Sequence, residues 1–258
     1  MPPLRSRLTL TLAASAWLIS AQASHAKHMP QEAFDIAAEG KVPALERFLT
    51  QRGLRVNDYH LDGGKTLLKE AVRDGNFPIA RFLLKIGADP NIGTDYGILP
   101  LHYALLNRDV AMIQELLRFG AQVDAAKPVS DDYELNTEGL TPLQEAATQD
   151  KMAHIIDTLW RAGADLAKRD PINDMTPLML AISHNKLGNV RQLLALGRRS
   201  GVSLYDARVI TLAAASDDEG ILTAIIQEYP LPYWGYYYDL EEKTARQEEQ
   251  DKKQQAEK

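Results

Sequence analysis

The residues that could do chemistry in this 258-residue chain are six histidines and 35 acidic side chains, with no cysteine beside them. Without a thiol there is no sulfur nucleophile, no thiolate metal site and no disulfide. The histidines, at positions 25, 28, 60, 102, 154 and 184, stand singly along the chain. No His-Glu-x-x-His helix, Gly-x-x-x-x-Gly-Lys-Ser/Thr loop or Gly-x-Ser-x-Gly elbow is present. These absences predict no catalytic residue, no metal ligand and no cofactor; carboxylate pairs stay open, because pairing for acid–base work is spatial. The formal charge of −6 sets the chain against phosphate backbones, so nucleic acid is not an expected partner.

The element that must position any surface is repeated. Gly139-Leu140-Thr141-Pro142-Leu143-Gln144-Glu145-Ala146-Ala147 has counterparts beginning at Gly64, Gly97 and Met175, and Gly163-Ala164-Asp165 has counterparts at Gly87-Ala88-Asp89 and Gly120-Ala121-Gln122. The step from Thr66 to Leu99, and from Ala88 to Ala121, is 33 residues. Thr-Pro suits a helix start, since threonine caps and proline lacks an amide hydrogen that the first turn would leave unpaired. Glycine before Ala-Asp suits a helix stop in the left-handed conformation. Apolar pairs at helical spacing follow, such as Ile79-Ala80 with Leu83-Leu84 and Ile155-Ile156 with Leu159-Trp160, and these predict core. Leu84 and Leu117 are both expected to be buried.

With Thr-Pro-Leu-His-x-Ala at that period, the chain resembles the ankyrin-repeat family. The resemblance implies an all-α solenoid of about six helix-turn-helix repeats with degenerate end caps. It covers about residues 31 to 229. The family's glycine between the two helices falls, by this register, at Gly40, Gly75, Arg108, Asp150, Asn185 and Asp217, in steps of 35, 33, 42, 35 and 32. Departures include Leu67 for proline, Leu99 for threonine, and Gln144 and Met179 for histidine. His102, at the family position, is expected to be structural and to bond the neighbouring turn. The long step exposes an acidic insertion between Ala125 and Glu138, where the family places its protruding hairpin; solvated loop and binding loop are both open readings.

The ends read differently. Residues 1–26 have Arg5 and Arg7, then the uncharged run Leu8 to Ile19, then small-x-small sites at Ala21-Gln22-Ala23 and Ser24-His25-Ala26. That run is shorter than the roughly 20 residues a bilayer needs, so the expectation is a secretory signal, with a mature chain starting at Ser24 or Lys27. No Asn-x-Ser/Thr acceptor occurs, which points toward a periplasm. The repeat domain is then 27–229. Residues 230–238 are an aromatic, proline-containing segment expected to cap the last repeat, and 239–258 form a charged tail, helical or disordered.

In such proteins a protein partner binds along the hairpin tips and first helices. Carried over, the tips are Lys65, Asp95, Tyr96, Ile98, Thr137 and Glu138, and the first-helix positions are Arg73, Asp74, Leu106, Asn107, Thr148, Gln149, Ser183 and His184. Asp131, Asp132 and Glu134 of the insertion join them and predict a partner with a basic patch. The resemblance extends to exported bacterial members, and three classes of function follow: a periplasmic protein-binding module, an immunity-type inhibitor of a secreted toxin, or an accessory in peroxide and stress defence. An enzyme hidden in the scaffold is the remaining contrast.

Overall fold

The computed structural model describes residues 28–58, 64–94, 97–127, 129–130 and 137–229. Within them lie twelve helices, in six consecutive pairs: α1 (Gln31–Ala38) with α2 (Val42–Arg52), α3 (Leu67–Arg73) with α4 (Phe77–Lys85), α5 (Pro100–Leu106) with α6 (Val110–Arg118), α7 (Pro142–Thr148) with α8 (Ala153–Arg161), α9 (Pro177–Ser183) with α10 (Leu187–Ser200), and α11 (Ala207–Ala214) with α12 (Glu219–Glu228). Two short strands, β1 (Val129–Ser130) and β2 (Thr137–Glu138), pair antiparallel inside the insertion. An otherwise all-helical reading thus gains one small hairpin. The expected signal segment 1–26, the cap 230–238 and the tail 239–258 lie outside the described residues.

The helices begin and end as their residues require. Thr66, Thr141 and Thr176 each accept a backbone N–H from three residues on, at 3.2, 3.3 and 3.4 Å. Asn76 and Asp109 do the same for α4 and α6. Gly87, Gly120 and Gly163 have φ of 95, 88 and 98°, and the following alanine N–H closes on the helix, Ala88 on Leu83 O, Ala121 on Leu116 O and Ala164 on Leu159 O. This closure needs a left-handed residue, where glycine has no Cβ to clash.

The chain divides into two compact units between Tyr103 and Ala104. In the first unit α1 packs on α2 and α3, and α4 on α2 and α3. In the second, α7 packs on α8 and α9, α9 on α10 and α11, and α10 on α8 and α12. First helices therefore neighbour first helices, and second helices neighbour second helices. The facing positions are apolar and buried: Leu68, Val72, Ile79 and Leu83 in one unit, Leu143, Ala146, Ile156, Leu178, Ile182 and Leu193 in the other. Small residues such as Ala146, Ala147 and Ala181 let the short helices approach.

Three expectations are corrected. The left-handed residue between α7 and α8 is Lys151 (φ 59°), not Asp150, because this turn holds one residue more than the turns at Gly75, Arg108 and Asn185. The turn after α11 has no left-handed residue, and Asp217 does not play that part. Leu84 is buried, but Leu117 is only half-buried and lines a cleft of about 440 Å³ with Gln114, Arg118, Asp157, Thr158 and Arg161. The core leucine of α6 is Leu116, one residue earlier.

Candidate functional site

The expected recognition positions recur seven and eight residues after each first-helix cap, where the helix runs out and its last turn faces water. Arg73, Asp74, Leu106, Asn107, Ser183 and His184 are exposed, and Thr148 and Gln149 are half-buried. Leu106 is 64% exposed. Among the tips, Lys65 is half-buried. Ile98 is overturned as a tip contact: it is 5% exposed, and its backbone pairs with Thr94, through N–H to Thr94 Oγ1 and O to Thr94 N–H. Asp95, Tyr96, Asp131, Asp132 and Glu134 lie outside the described residues; Thr137 and Glu138 are placed as β2 backbone only.

The structure adds a row that was missed in the sequence, four residues after the cap. In the first unit Glu70 and Tyr103 hold this place; in the second, Glu145 and the buried Leu180. Arg73 Nη2 reaches Glu70 Oε2 at 2.5 Å and its Nε reaches Asp74 Oδ1 at 3.0 Å. The Lys69 ammonium lies 2.7 Å from Glu70 Oε1, a charge contact whose angle does not make it a hydrogen bond. Burial first, and the Glu70 charge second, push the Tyr103 hydroxyl above its ordinary pKa, with Arg73 opposing. Tyrosine thus stays neutral beside a compensated set of two cations and two anions. The signal was available: these residues follow Thr66 and Leu99 at the x of Thr-Pro-Leu-His-x-Ala.

In the second unit Lys127 Nζ pairs with Glu145 Oε1 at 2.7 Å, and the other oxygen, Oε2, is buried with no hydrogen-bond partner among the described residues. The extra residue after α7 is held by Asn189, a buried amide whose Nδ2 donates to Ala146 O, Ala147 O and Gln149 O at 3.1, 3.0 and 2.7 Å. The turn leaves Asp150 exposed and paired with Lys186 at 2.9 Å. The Lys186 hydrogen bond, then its charge, holds the Asp150 carboxyl below its usual range.

The histidine positions behave as scaffold. His102 Nδ1 accepts the Leu99 N–H at 3.1 Å, so its proton is assigned to Nε2. Gln144 does the same work: Oε1 accepts the Thr141 N–H at 2.8 Å while Nε2 donates to Lys168 O at 2.8 Å in the next hairpin. That hairpin turns on the buried Asp170, which accepts N–H groups from Ile172, Asn173 and Met175. Among the described residues no cluster of three or more metal-ligating side chains occurs, and no helix is long and apolar enough to cross a membrane.

Residues 33–127 match the family model for ankyrin repeats in three copies. Protein phosphatase 1 regulatory subunit 27 of mouse is 31% identical over 108 residues, 42% of this chain and 68% of that protein. Ankyrin repeat protein FPV031 of fowlpox virus is 37% identical over 112 residues, covering 43% of this chain and 31% of that protein. The mouse B-cell lymphoma 3 protein homolog is 30% identical over 170 residues, covering 65% of this chain and 36% of that protein. The chain thus spans about a third of the length of these last two relatives. The crystal structure of the human ASB11 ankyrin repeat domain superposes with a TM-score of 0.57 at 24% identity, covering 77% of this chain and 84% of that one, which is a likeness of fold. The chain belongs to the ankyrin-repeat proteins, an all-helical family whose fold generally serves protein interaction and not catalysis. These relatives are viral and animal, so they give no support to a kinship with exported bacterial members.

Proposed function

We propose that this protein is a non-enzymatic module that binds a protein partner through the exposed ends of its first helices and the hairpin of its insertion, after export to the periplasm or beyond. The observation that carries the reading is the contrast between surface and scaffold. At matching positions the exposed side chains are Arg73 and Asp74, then Leu106 and Asn107, then Ser183 and His184, while Leu68, Leu101, Leu143 and Leu178 stay buried beneath. Variation over an unchanging core is what specifies one partner among many. The acidic residues Asp131, Asp132, Glu134 and Glu138 favour a partner with a basic patch.

The test is capture of partner by the mature chain, compared with a variant carrying Arg73→Glu, Leu106→Asp and Ser183→Arg. The variant should melt at the same temperature and lose the partner. Retention of the same partner by the variant would move recognition elsewhere, and an intact Met1 on protein from the cytoplasm would remove the export reading. A second reading, an inhibitor of one partner enzyme or toxin, is favoured by the name of the mouse relative, a regulatory subunit. It predicts a single, tightly held partner whose activity falls on binding.

A further inference from the structure

We propose that the cleft between α6 and α8 is a second docking surface, and that its occupant is an acidic segment of a partner protein with an apolar side chain beside a carboxylate. The surface belongs to the second helices, so it is independent of the first-helix ends and of the insertion. α8 packs more closely on α10 than on α6, and on the α6 side an opening of about 440 Å³ remains. Ligand clefts usually hold roughly 300–1,000 Å³. Helical spacing decides what faces it. Ile113 and Leu116 on α6, and Ile156 and Leu159 on α8, are buried in the core. The neighbouring positions line the cleft: Gln114, Leu117 and Arg118 from α6, Asp157, Thr158 and Arg161 from α8. Leu117, half-buried, supplies an apolar patch among them.

The charges say what would enter. Asp157 Oδ2 accepts from Arg161 Nε at 2.7 Å, one helical turn on, and Asp157 Oδ1 lies 3.6 Å from Arg199 Nη1, whose guanidinium stacks on Trp160 at 4.9 Å. Held by its Nε, the Arg161 side chain is 66% exposed, and its two terminal nitrogens have no partner among the described residues. Such a planar fork matches a carboxylate with two parallel N–H···O bonds. Arg118, 67% exposed, stacks on Phe119 at 5.6 Å and stands 3.5 Å from Glu115, beyond ordinary hydrogen-bond length. Three guanidiniums thus meet two carboxylates here, in a chain whose formal charge is −6. The surplus cation favours an anion, and Leu117 beside it favours an apolar side chain on the same ligand. Glu115 and Asp157 would repel a run of phosphates, whereas a lone carboxylate needs only the Arg161 fork.

The probe is the peptide acetyl-Leu-Glu-Leu-Glu-amide, titrated into the full chain and followed by amide NMR shifts. It should shift Leu117, Thr158 and Ala162, while acetyl-Leu-Gln-Leu-Gln-amide should not. Arg161→Gln should weaken binding by about tenfold or more, the loss of a charge-assisted pair, and Arg118→Gln by less. Arg191→Gln makes the same charge change at an exposed position of α10 outside the cleft, and should leave the affinity unchanged. All three arginines are exposed, and surface substitutions of this kind leave folding intact. Absence of shifts at the cleft would overturn the proposal. Equal weakening by Arg161→Gln and Arg191→Gln would do the same, since diffuse charge would then explain binding, and so would equal binding of the glutamine peptide. Tighter binding of single-stranded oligothymidylate at the same residues would overturn the assignment to an acidic protein segment.

Discussion

Asn189 shows how one amide can replace a missing backbone bond. In the turns at Gly75, Arg108 and Asn185 the residue after the left-handed position donates back to the helix, as Asn76 does to Ala71 O, Asp109 to Ala104 O and Lys186 to Ala181 O. In the longer turn after α7 the Gln149 N–H reaches Ala146 O at 3.3 Å, and the Asn189 side chain adds a second donor to that carbonyl and donates to Ala147 O and Gln149 O. Asn189→Ala should therefore cost about 2–3 kcal/mol in urea unfolding, the loss of hydrogen bonds to buried acceptors. A change below about 0.5 kcal/mol would show that water satisfies those carbonyls equally well. The leucines give a second comparison at this scale. Leu84→Ala and Leu116→Ala should each cost about 2–5 kcal/mol, and Leu117→Ala distinctly less, because its side chain already borders an open cleft. Equal losses at Leu116 and Leu117 would contradict the described packing of α6.

Short helices of seven residues, such as α3, α5, α7 and α9, have too few internal hydrogen bonds to hold by themselves, so caps and neighbours decide them. For α7 the decision is shared by Thr141 and Gln144, which form a reciprocal capping box, and by the bond from Gln144 to the following hairpin. Gln144→Leu should cost about 1–3 kcal/mol, since both the Thr141 N–H and Lys168 O lose a partner. Gln144→His should recover most of that, because His102 makes the equivalent cap bond at Leu99. Thermal melts of the two variants check this; a histidine variant as weak as the leucine variant would mean that the hairpin bond, not the cap, carries the helix.

At the scale of the whole molecule, charge governs both stability and encounter. In the second unit Arg169 bridges Asp174 and Asp206 at 3.1 and 2.7 Å, and Arg208 joins Asp174 at 2.9 Å. Burial alone would raise the Asp206 carboxyl, yet the Arg169 hydrogen bond, the Arg208 backbone N–H and the two guanidinium charges outweigh it and hold the group below its ordinary range. A carboxyl depressed in the folded state stabilises above its unfolded pKa, near 4, and that contribution is lost as pH falls through the lower folded value. The parent should thus lose melting temperature more steeply than Asp206→Asn as pH falls below about 4. Parallel curves would sink the assignment. Salt bears on function in the same way: the triple change Asp131→Asn, Asp132→Asn, Glu134→Gln should slow association with a basic partner at low salt and leave melting unchanged. Equal association rates for the triple variant and the parent at low salt would reduce the insertion to a solvated loop.

The sequence by itself determined the repeat, because a period of 33 residues with Thr-Pro starts and Gly-Ala-Asp stops leaves stacked helix pairs as the way to bury so many short apolar faces. The family resemblance carried Arg73, Leu106 and Ser183 over as first-helix positions, and all three side chains are exposed. Tertiary structure decided what counting cannot reach. One added residue in a turn moved the left-handed position from Asp150 to Lys151, a single residue step, about 100° around the helix, put Leu116 and not Leu117 in the core, and the burial of Ile98 withdrew it from the surface. The pairing of Lys127 with Glu145, 18 residues apart, follows no helical spacing, and only the folded backbone brings those two charges within reach.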